Sequence, residues 1–268
     1  MKLAFKKLGQ GKPLIILHGL YGSSDNWYSV GKTLSSNFEV YLIDQRNHGH
    51  SPHSESHTYN DLQLDLFNFF NTHNISKAVL IGHSMGGKTA MLFSLLHPEL
   101  VEKLVIVDIA PKAYTSLQNY QTHAIEHLNI MQAFLSVDID KMQSRDQVDE
   151  EFSKFVKDKN TRQFLLKNVS RTNNGFKWIL NVDALSKALP NILEGIDGKS
   201  IQQIKAKPVF PVLFIKGEKS DYILDDDLFP IKQIFPKAEL VTIFDAGHWV
   251  HAEQPELFLK TLKYFLDI

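Results

Sequence analysis

Residues 82–86 read Gly-His-Ser-Met-Gly, with an apolar run before them and a stretch of helical character after them. A G-x-S-x-G pattern between a strand and a helix is typical of a serine nucleophile held on a sharp turn. The turn strains the backbone and lifts the Ser84 hydroxyl clear of the sheet, and glycines at 82 and 86 let the neighbouring chain pass without a clash. The alternative is an ordinary glycine-softened turn, so the interpretation depends on partners elsewhere in the chain.

A serine hydroxyl needs a base to take its proton, and the chain contains 12 histidines. In the fold that carries this turn, the order along the chain is serine, acid, histidine. His248, in the loop DAGHWVHAEQP, fits that order best. His251 is the alternative base, although its position suits the start of the last helix. His18 and His83 come before the acid and are interpreted as structural or pocket-lining residues.

Two aspartates could orient the imidazole of the base. Asp108 ends the run VIVD, and Asp221 lies in FIKGEKSDYI, after a later strand. Each also has an ordinary structural role available, because Asp221 could cap a helix and Asp108 could hydrogen-bond the following turn. The carboxyl ends of parallel strands meet at one edge of a sheet, so spacing alone leaves both acids open.

Acyl transfer at Ser84 would also require N–H donors for a developing oxyanion. The N–H of Met85 begins a helix, whose free N–H groups and positive dipole end point toward the site. The loop in LIILHGLYGSSDNW supplies a second donor, the N–H of Leu20, and Gly19 and Gly22 allow close approach of the backbone. A plain turn at the end of a strand is the alternative for this loop.

Another group of histidines lies within a single loop. A metal site there is conceivable, but the companion ligand pattern of a known site is missing, so we predict no metal. The four histidines are His48, His50, His53 and His57.

Short apolar runs alternate with amphipathic stretches in the first third of the chain and again near its end. This alternation predicts an α/β fold with a mostly parallel central sheet and helices on both faces. Residues 1–111 and 206–268 form the predicted core, and residues 112–205 form a helical, polar and lysine-rich insertion. Within the core, Asp25 is a candidate helix N-cap. One predicted helix carries an apolar face of Leu62, Leu66, Phe69 and Phe70.

The composition limits the class of protein further. The chain has 268 residues, 43% of them hydrophobic, a net charge of −1 and no cysteine. These values predict a sizeable core, no nucleic-acid partner, and neither disulfides nor thiolate chemistry. The start of the chain has no signal-peptide pattern and no run suits a spanning helix, so we expect a cytoplasmic protein without membrane association. The oligomeric state stays open.

Five motifs together resemble the α/β-hydrolase superfamily, and most closely the small bacterial serine esterases of the YbfF type and their mitochondrial relatives. The motifs are HGLYGSSDNW, DQRNHGHS, GHSMGGKTAM, VDIAP and GHWVHAE. The match covers both core segments and is faint in the insertion. The resemblance implies an α/β-hydrolase fold with a helical cap and no metal or organic cofactor. It also implies Ser84 as nucleophile, His248 as base, and the N–H groups of Leu20 and Met85 as oxyanion hole.

The resemblance also bears on the acid and the pocket. Most α/β-hydrolases place the acid three residues after the glycine of a G-x-x-D turn, but here that position is Ser220, and Asp221 is displaced by one. Relatives with a similar G-x-x-S-x-Y stretch use the aspartate of V-D-I-x-P, which favours Asp108. The family often has Trp-Arg in the cap, where this chain has Trp178 followed by Ile179. We expect the substrate pocket to include His18, Tyr21, His83 and Trp178.

The function predicted from these residues is that of a serine hydrolase, either a carboxylesterase or an acyl-CoA thioesterase, working through an acyl-enzyme on Ser84. A cap of about a hundred residues predicts a covered pocket suited to small acyl esters or thioesters. Three alternatives remain: a cofactor-free perhydrolase of the haloperoxidase type, a carbon–carbon bond hydrolase, and a non-catalytic ligand-binding protein on the same fold.

Overall fold

The computed structural model describes residues 1–114, 121–173, 175–196 and 207–268. Seven strands form one sheet in the order β1-β3-β2-β4-β5-β8-β9, in which β1 is antiparallel to β3 and every other neighbouring pair is parallel. The strands are β1 (Phe5–Leu8), β2 (Lys12–Leu17), β3 (Phe38–Ile43), β4 (Ala78–His83), β5 (Val101–Val107), β8 (Val212–Gly217) and β9 (Ala238–Ile243). A separate antiparallel hairpin joins β6 (Val169–Thr172) and β7 (Gly175–Trp178).

The α-helices connect these strands and cover the sheet. They are α1 (Tyr28–Leu34), α2 (Tyr59–Thr72), α3 (Met85–Leu96), α4 (Gln121–Ser136), α5 (Arg145–Ser153), α6 (Lys159–Leu165), α7 (Val182–Leu193), α8 (Leu228–Ile234), α9 (Val250–Glu253) and α10 (Pro255–Leu266). No helix among the described residues is both long and apolar enough to cross a bilayer.

The alternation of side chains along each strand explains how one sheet supports two apolar layers. In β2, Ile15 and Leu17 pack in one cluster of buried residues, whereas Leu14 and Ile16 pack in the other. The first cluster includes the predicted apolar face of α2, and all four of its residues are buried. The second cluster contains Phe258 and Leu262 of α10. Both faces of the central sheet are therefore covered, as the alternating sequence pattern predicts.

Two local predictions differ from the structure. Asp25 is not the N-cap of α1, because it lies within a 3-10 turn, Ser24–Trp27, that precedes α1, and Trp27 holds the cap position; the Asp25 carboxylate instead forms an ion pair with Lys6. The segment predicted as a helical insertion does contain α4 to α7, but it also contains the β6–β7 hairpin. The hairpin strands have four residues each, and Arg171 and Thr172 are exposed. Strands this short and polar carry little hydrophobic periodicity. The predicted boundary at 205 and 206 lies outside the described residues.

Candidate active site

Ser84 lies on the turn between β4 and α3 and has φ 51° and ψ −120°. A positive φ in a residue other than glycine is strained and persists only where the surroundings enforce it. The surrounding chain is closely packed, since a Cβ at Gly82 would lie 2.3 Å from the carbonyl oxygen of Gly86. A Cβ at Gly86 would lie 2.5 Å from the carbonyl oxygens of Leu17 and His18. Both glycines are therefore required by this turn.

Asp108 and His248 meet at the carboxyl edge of the sheet. The Nδ1 atom of His248 lies 2.8 Å from Oδ2 of Asp108, which is fully buried directly after β5. The same carboxylate accepts the backbone N–H of Gly217 at 3.0 Å and the hydroxyl of Ser220. Three donors thus hold Asp108 in one orientation, and Nδ1–H of His248 is the tautomer that this arrangement favours.

Burial governs the ionisation of the pair. It raises the pKa of Asp108, while the hydrogen bonds from Ser220 and Gly217 stabilise the charged carboxylate and oppose that rise. Burial lowers the pKa of His248, so its imidazole is neutral near pH 7. With Nδ1 protonated, the lone pair of Nε2 is available to accept a proton.

The loop that carries His248 is fixed on several sides. Nε2–H of His83 donates to the carbonyl oxygen of His248 at 2.9 Å. The ring of Tyr222 stacks on the imidazole with centroids 4.0 Å apart. The carboxylate of Glu253 accepts the N–H groups of the two residues that flank His248, at 2.8 and 3.1 Å. The imidazole is therefore held before any substrate arrives, which is the preorganisation that a catalytic base needs.

The backbone loop after β2 lies directly against Ser84. A Cβ at Gly19 would lie 2.7 Å from Nδ1 of His83 and 3.1 Å from Cβ of Ser84, so a larger residue would crowd this approach. Leu20 follows in that loop, and Met85 is the first residue of α3. Among the described residues, no protein acceptor engages the N–H of Leu20 or of Met85. Both donors are thus available to an oxygen bound next to Ser84.

Asp221, the alternative acid, and His251, the alternative base, have other partners. The carboxylate of Asp221 is 59% exposed and lies 2.8 Å from Nε2 of His123. His251 lies in α9, and its ring stacks on Trp27 with centroids 4.0 Å apart and planes 13° apart. The structure therefore brings Asp108 to His248, and it places Asp221 and His251 in separate contacts.

A cavity of about 140 Å³ opens next to Ser84. Of the four residues predicted to line the pocket, Tyr21 and His83 line this cavity, whereas His18 and Trp178 do not. His18 lies beneath the loop, where its Nε2 accepts the N–H of Gln45 at 3.0 Å. Trp178 packs against Phe134 and Phe152 within the cap. The complete lining is Leu20, Tyr21, His83, Ser84, Glu126, His127, Ile130, Thr161, Phe164, Leu165, Tyr222, His248, Trp249 and Glu253.

Sequence reasoning did not identify most of the wall that the cap provides. Glu126 and His127 come from α4, and Phe164 comes from α6. Their sequence surroundings resemble those of any amphipathic helix, so no local signal marks them. Tyr222 could have been suspected, because it directly follows the candidate Asp221 at the carboxyl edge of the sheet.

Three of the four loop histidines have side-chain contacts within the protein. Nδ1 of His48 lies 2.9 Å from the carbonyl oxygen of Arg46, and Nδ1 of His57 lies 3.2 Å from the side-chain amide of Asn47. His53 contacts the carbonyl oxygen of Ile179 at 3.2 Å. Within the described ranges, no group of three or more His, Asp or Glu side chains is arranged to hold a metal ion.

Comparisons with known proteins agree with this architecture. A family profile described as alpha/beta hydrolase fold matches residues 12–255. The sn-1-specific diacylglycerol lipase ABHD11 of Danio rerio is 38% identical over 267 residues, which span 98% of this chain and 81% of that protein. Esterase YbfF of Escherichia coli is 33% identical over 95% of this chain and 93% of its own length.

A solved structure titled Marine microorganism esterase superposes with a TM-score of 0.92 and 45% identity, covering 98% of this chain and 99% of the other. The sheet order, the serine turn and these matches are consistent with one another. The chain belongs to the α/β-hydrolase family, and the relatives described here are named esterases and a lipase.

Proposed function

We propose that the protein is a serine hydrolase that cleaves small carboxylic esters through an acyl-enzyme on Ser84. The single observation that carries this proposal is the hydrogen bond between His248 and the buried Asp108, beside a serine on a strained turn. In this assignment Ser84 is the nucleophile, His248 the general base, and Asp108 the residue that orients the imidazole.

The chemistry follows from these positions. Nε2 of His248 takes the proton of the Ser84 hydroxyl as its oxygen attacks the acyl carbonyl carbon. The carbonyl oxygen becomes an oxyanion and accepts the N–H groups of Leu20 and Met85. The imidazolium then gives its proton to the departing alkoxide, which leaves as an alcohol. Water activated by the same imidazole hydrolyses the acyl-enzyme and releases the carboxylic acid.

The size of the cavity supports short acyl groups. A volume of about 140 Å³ is small compared with the several hundred Å³ of a pocket that encloses a drug-sized ligand. Phe164 of the cap and Trp249 of the core form part of its wall, with ring centroids 5.1 Å apart. A named diacylglycerol lipase is among the relatives, but this cavity is better suited to a compact acyl group than to a long acyl chain.

The same machinery could cleave a thioester, and the charge around the cavity favours oxygen esters over acyl-CoA. Glu126 and Glu253 are exposed residues of the lining, and none of the lining residues is a lysine or arginine. Coenzyme A carries several phosphate charges, which the two exposed carboxylates of the lining would repel. Butyryl-CoA is therefore expected to be hydrolysed more slowly than a neutral butyrate ester.

The test is turnover of p-nitrophenyl butyrate by the wild type, by Ser84→Ala and by Ser29→Ala. Ser29 is an exposed serine outside the cavity and provides the matched control. The wild type and Ser29→Ala should turn the ester over at the same rate, and Ser84→Ala should lose activity while its circular dichroism spectrum is unchanged. A folded wild type without turnover would favour the ligand-binding alternative, and an active Ser84→Ala would refute the assignment of the nucleophile.

A further inference from the structure

A short hydrogen-bonded chain crosses the wall of the cavity. Nδ1 of His127, on the cap helix α4, lies 3.3 Å from the hydroxyl of Tyr21. Nε2 of the same imidazole lies 3.1 Å from the hydroxyl of Tyr222. All three residues line the cavity, and both tyrosines are buried, with 4% and 7% exposure. One cap residue thus bridges two tyrosines of the core, directly beside Ser84.

The protonation of this chain follows from burial. Burial raises the pKa of Tyr21 and of Tyr222 well above the usual range, so both remain phenols. Burial lowers the pKa of His127 to about 3, so its imidazole is neutral and carries one N–H. The hydrogen-bonded chain of Tyr21, His127 and Tyr222 therefore has three polar protons, two on tyrosine hydroxyls and one on the imidazole.

Those three protons serve only two hydrogen bonds. If Nε2–H donates to Tyr222, then Tyr21 donates to Nδ1 and the hydroxyl proton of Tyr222 is left over. If Nδ1–H donates to Tyr21, then Tyr222 donates to Nε2 and the hydroxyl proton of Tyr21 is left over. Among the described residues, neither hydroxyl has another hydrogen-bond partner. In the described part of the chain, the hydroxyl proton that is left over has no protein acceptor, and a bound acceptor oxygen would supply one.

We propose that this remaining tyrosine hydroxyl donates to the substrate, and that the enzyme therefore prefers esters with an acceptor oxygen in addition to the scissile ester group. Ether, keto and hydroxyl oxygens all have the required chemistry. The positions of the two tyrosines agree with such a role. Tyr21 follows the oxyanion-hole candidate Leu20 in the chain, and Tyr222 stacks on His248. This inference rests on the proposed esterase function and specifies its substrate class.

Two matched substrate pairs test it. On the acyl side, p-nitrophenyl methoxyacetate replaces one methylene of p-nitrophenyl butyrate with an ether oxygen. On the alcohol side, 2-methoxyethyl butyrate replaces one methylene of butyl butyrate with an ether oxygen, and the release of butyric acid is measured by titration. Each kcat/KM is divided by the rate constant of the same ester with hydroxide, which removes the difference in intrinsic reactivity. The proteins are the wild type, Tyr21→Phe, Tyr222→Phe, the double variant Tyr21→Phe/Tyr222→Phe and the control Tyr264→Phe, whose ring is 89% exposed.

We expect the wild type to prefer the ether member of at least one pair by about three- to tenfold, the effect of one hydrogen bond. Each single variant should keep part of this preference, because the remaining tyrosine and His127 still share two protons in one hydrogen bond. The double variant should lose the preference while it still cleaves the ester without the ether oxygen, and Tyr264→Phe should match the wild type.

Two outcomes would overturn the inference. One is a reactivity-corrected kcat/KM ratio, ether ester over ether-free ester, that is at or below one for the wild type in both pairs. This measurement requires no variant, so it is decisive even if the double variant does not fold. The other is a preference that survives in the folded double variant. Failure of the proposed function itself would be recognised separately, because the wild type would then cleave none of the four esters.

Discussion

Asp108 and Asp221 lie in loops that follow two strands ending at the same edge of the sheet, but the two carboxylates have different surroundings. Asp108, after β5, has no solvent exposure and its carboxylate accepts hydrogen bonds from His248, Gly217 and Ser220. The Asp221 carboxylate, after β8, is 59% exposed and lies 2.8 Å from Nε2 of the buried His123, whose pKa is lowered by burial. A buried carboxylate with several donors is fixed in one orientation, whereas a largely exposed carboxylate is held less firmly.

The second loop still contributes to the first. Gly217 and Ser220 both belong to the loop after β8, and both donate to Asp108. The loop that carries the acid in most of the family therefore stabilises, in this chain, a carboxylate of the neighbouring strand. The difference between the two aspartates indicates that the surroundings of a carboxylate, rather than its presence at the sheet edge, suit it to orient His248.

The largest effect is expected from Asp108→Asn. An amide in place of the carboxylate would present the wrong partner to Nδ1–H of His248 and would not stabilise the imidazolium. We predict a loss of kcat on the order of 10⁴-fold with p-nitrophenyl butyrate, as for triad-acid replacement in other serine hydrolases. Stopped assays at high enzyme concentration would measure the residual rate. A variant that retains more than a tenth of the activity would show that another acid supports His248.

An intermediate effect is expected from Ser220→Ala. The Ser220 hydroxyl stabilises the charged form of Asp108 and lowers its pKa, so its loss would raise that pKa. The active form has a charged Asp108 and a neutral His248. Without the Ser220 hydroxyl, this form is less stable relative to the form in which the pair has gained a proton. The acid limb of kcat/KM should move to higher pH by about one to two pH units, since a hydrogen bond to a charged group is worth about 1.5–3 kcal/mol.

The matching measurement is a pH profile of kcat/KM for Ser220→Ala and Ser220→Thr. The threonine variant keeps a hydroxyl, and its acid limb should stay close to that of the wild type. An alanine profile that falls in level without moving along the pH axis would indicate a structural role for Ser220 and no role in the charge of Asp108.

The smallest effect is expected from Asp221→Asn. The variant replaces a largely exposed carboxylate, and because burial lowers the pKa of its neighbour His123, an amide can keep this contact with the neutral imidazole. We predict less than a threefold change in kcat, an amount below the usual effect of removing one neutral hydrogen bond. Thermal unfolding and kcat of Asp221→Asn, measured beside those of Asp108→Asn, would check this. A loss in Asp221→Asn as large as that in Asp108→Asn would reverse the assignment of the acid.

The sequence predicted the core of this fold because each signal there is local. The glycines around Ser84 indicate a close approach of two backbone segments, and the apolar face of α2 indicates a buried layer. The choice between Asp108 and Asp221 could not be made from the residues alone, because it depends on which loop turns its carboxylate inward. Only the resemblance to related esterases favoured Asp108.

The cap was the least predictable region for a physical reason. Its helices pack against one another and against the core through contacts that are distant in sequence, such as Phe134 with Trp178. Trp178 was therefore expected in the pocket but is half-buried against Phe134 and Phe152 of the cap, and His127 was not anticipated at all. His18 was misplaced for a different reason, since a histidine that ends a strand can turn beneath the loop as well as toward the substrate.

The central claim is that Ser84 forms the covalent intermediate, and the most direct measurement is the site of a trapped adduct. The protein is incubated with diethyl p-nitrophenyl phosphate, digested, and analysed by tandem mass spectrometry. We predict a diethylphosphoryl group on Ser84, formed at the same rate as esterase activity is lost, and no such group in Ser84→Ala. An adduct on any other residue, or loss of activity with Ser84 unmodified, would contradict the account.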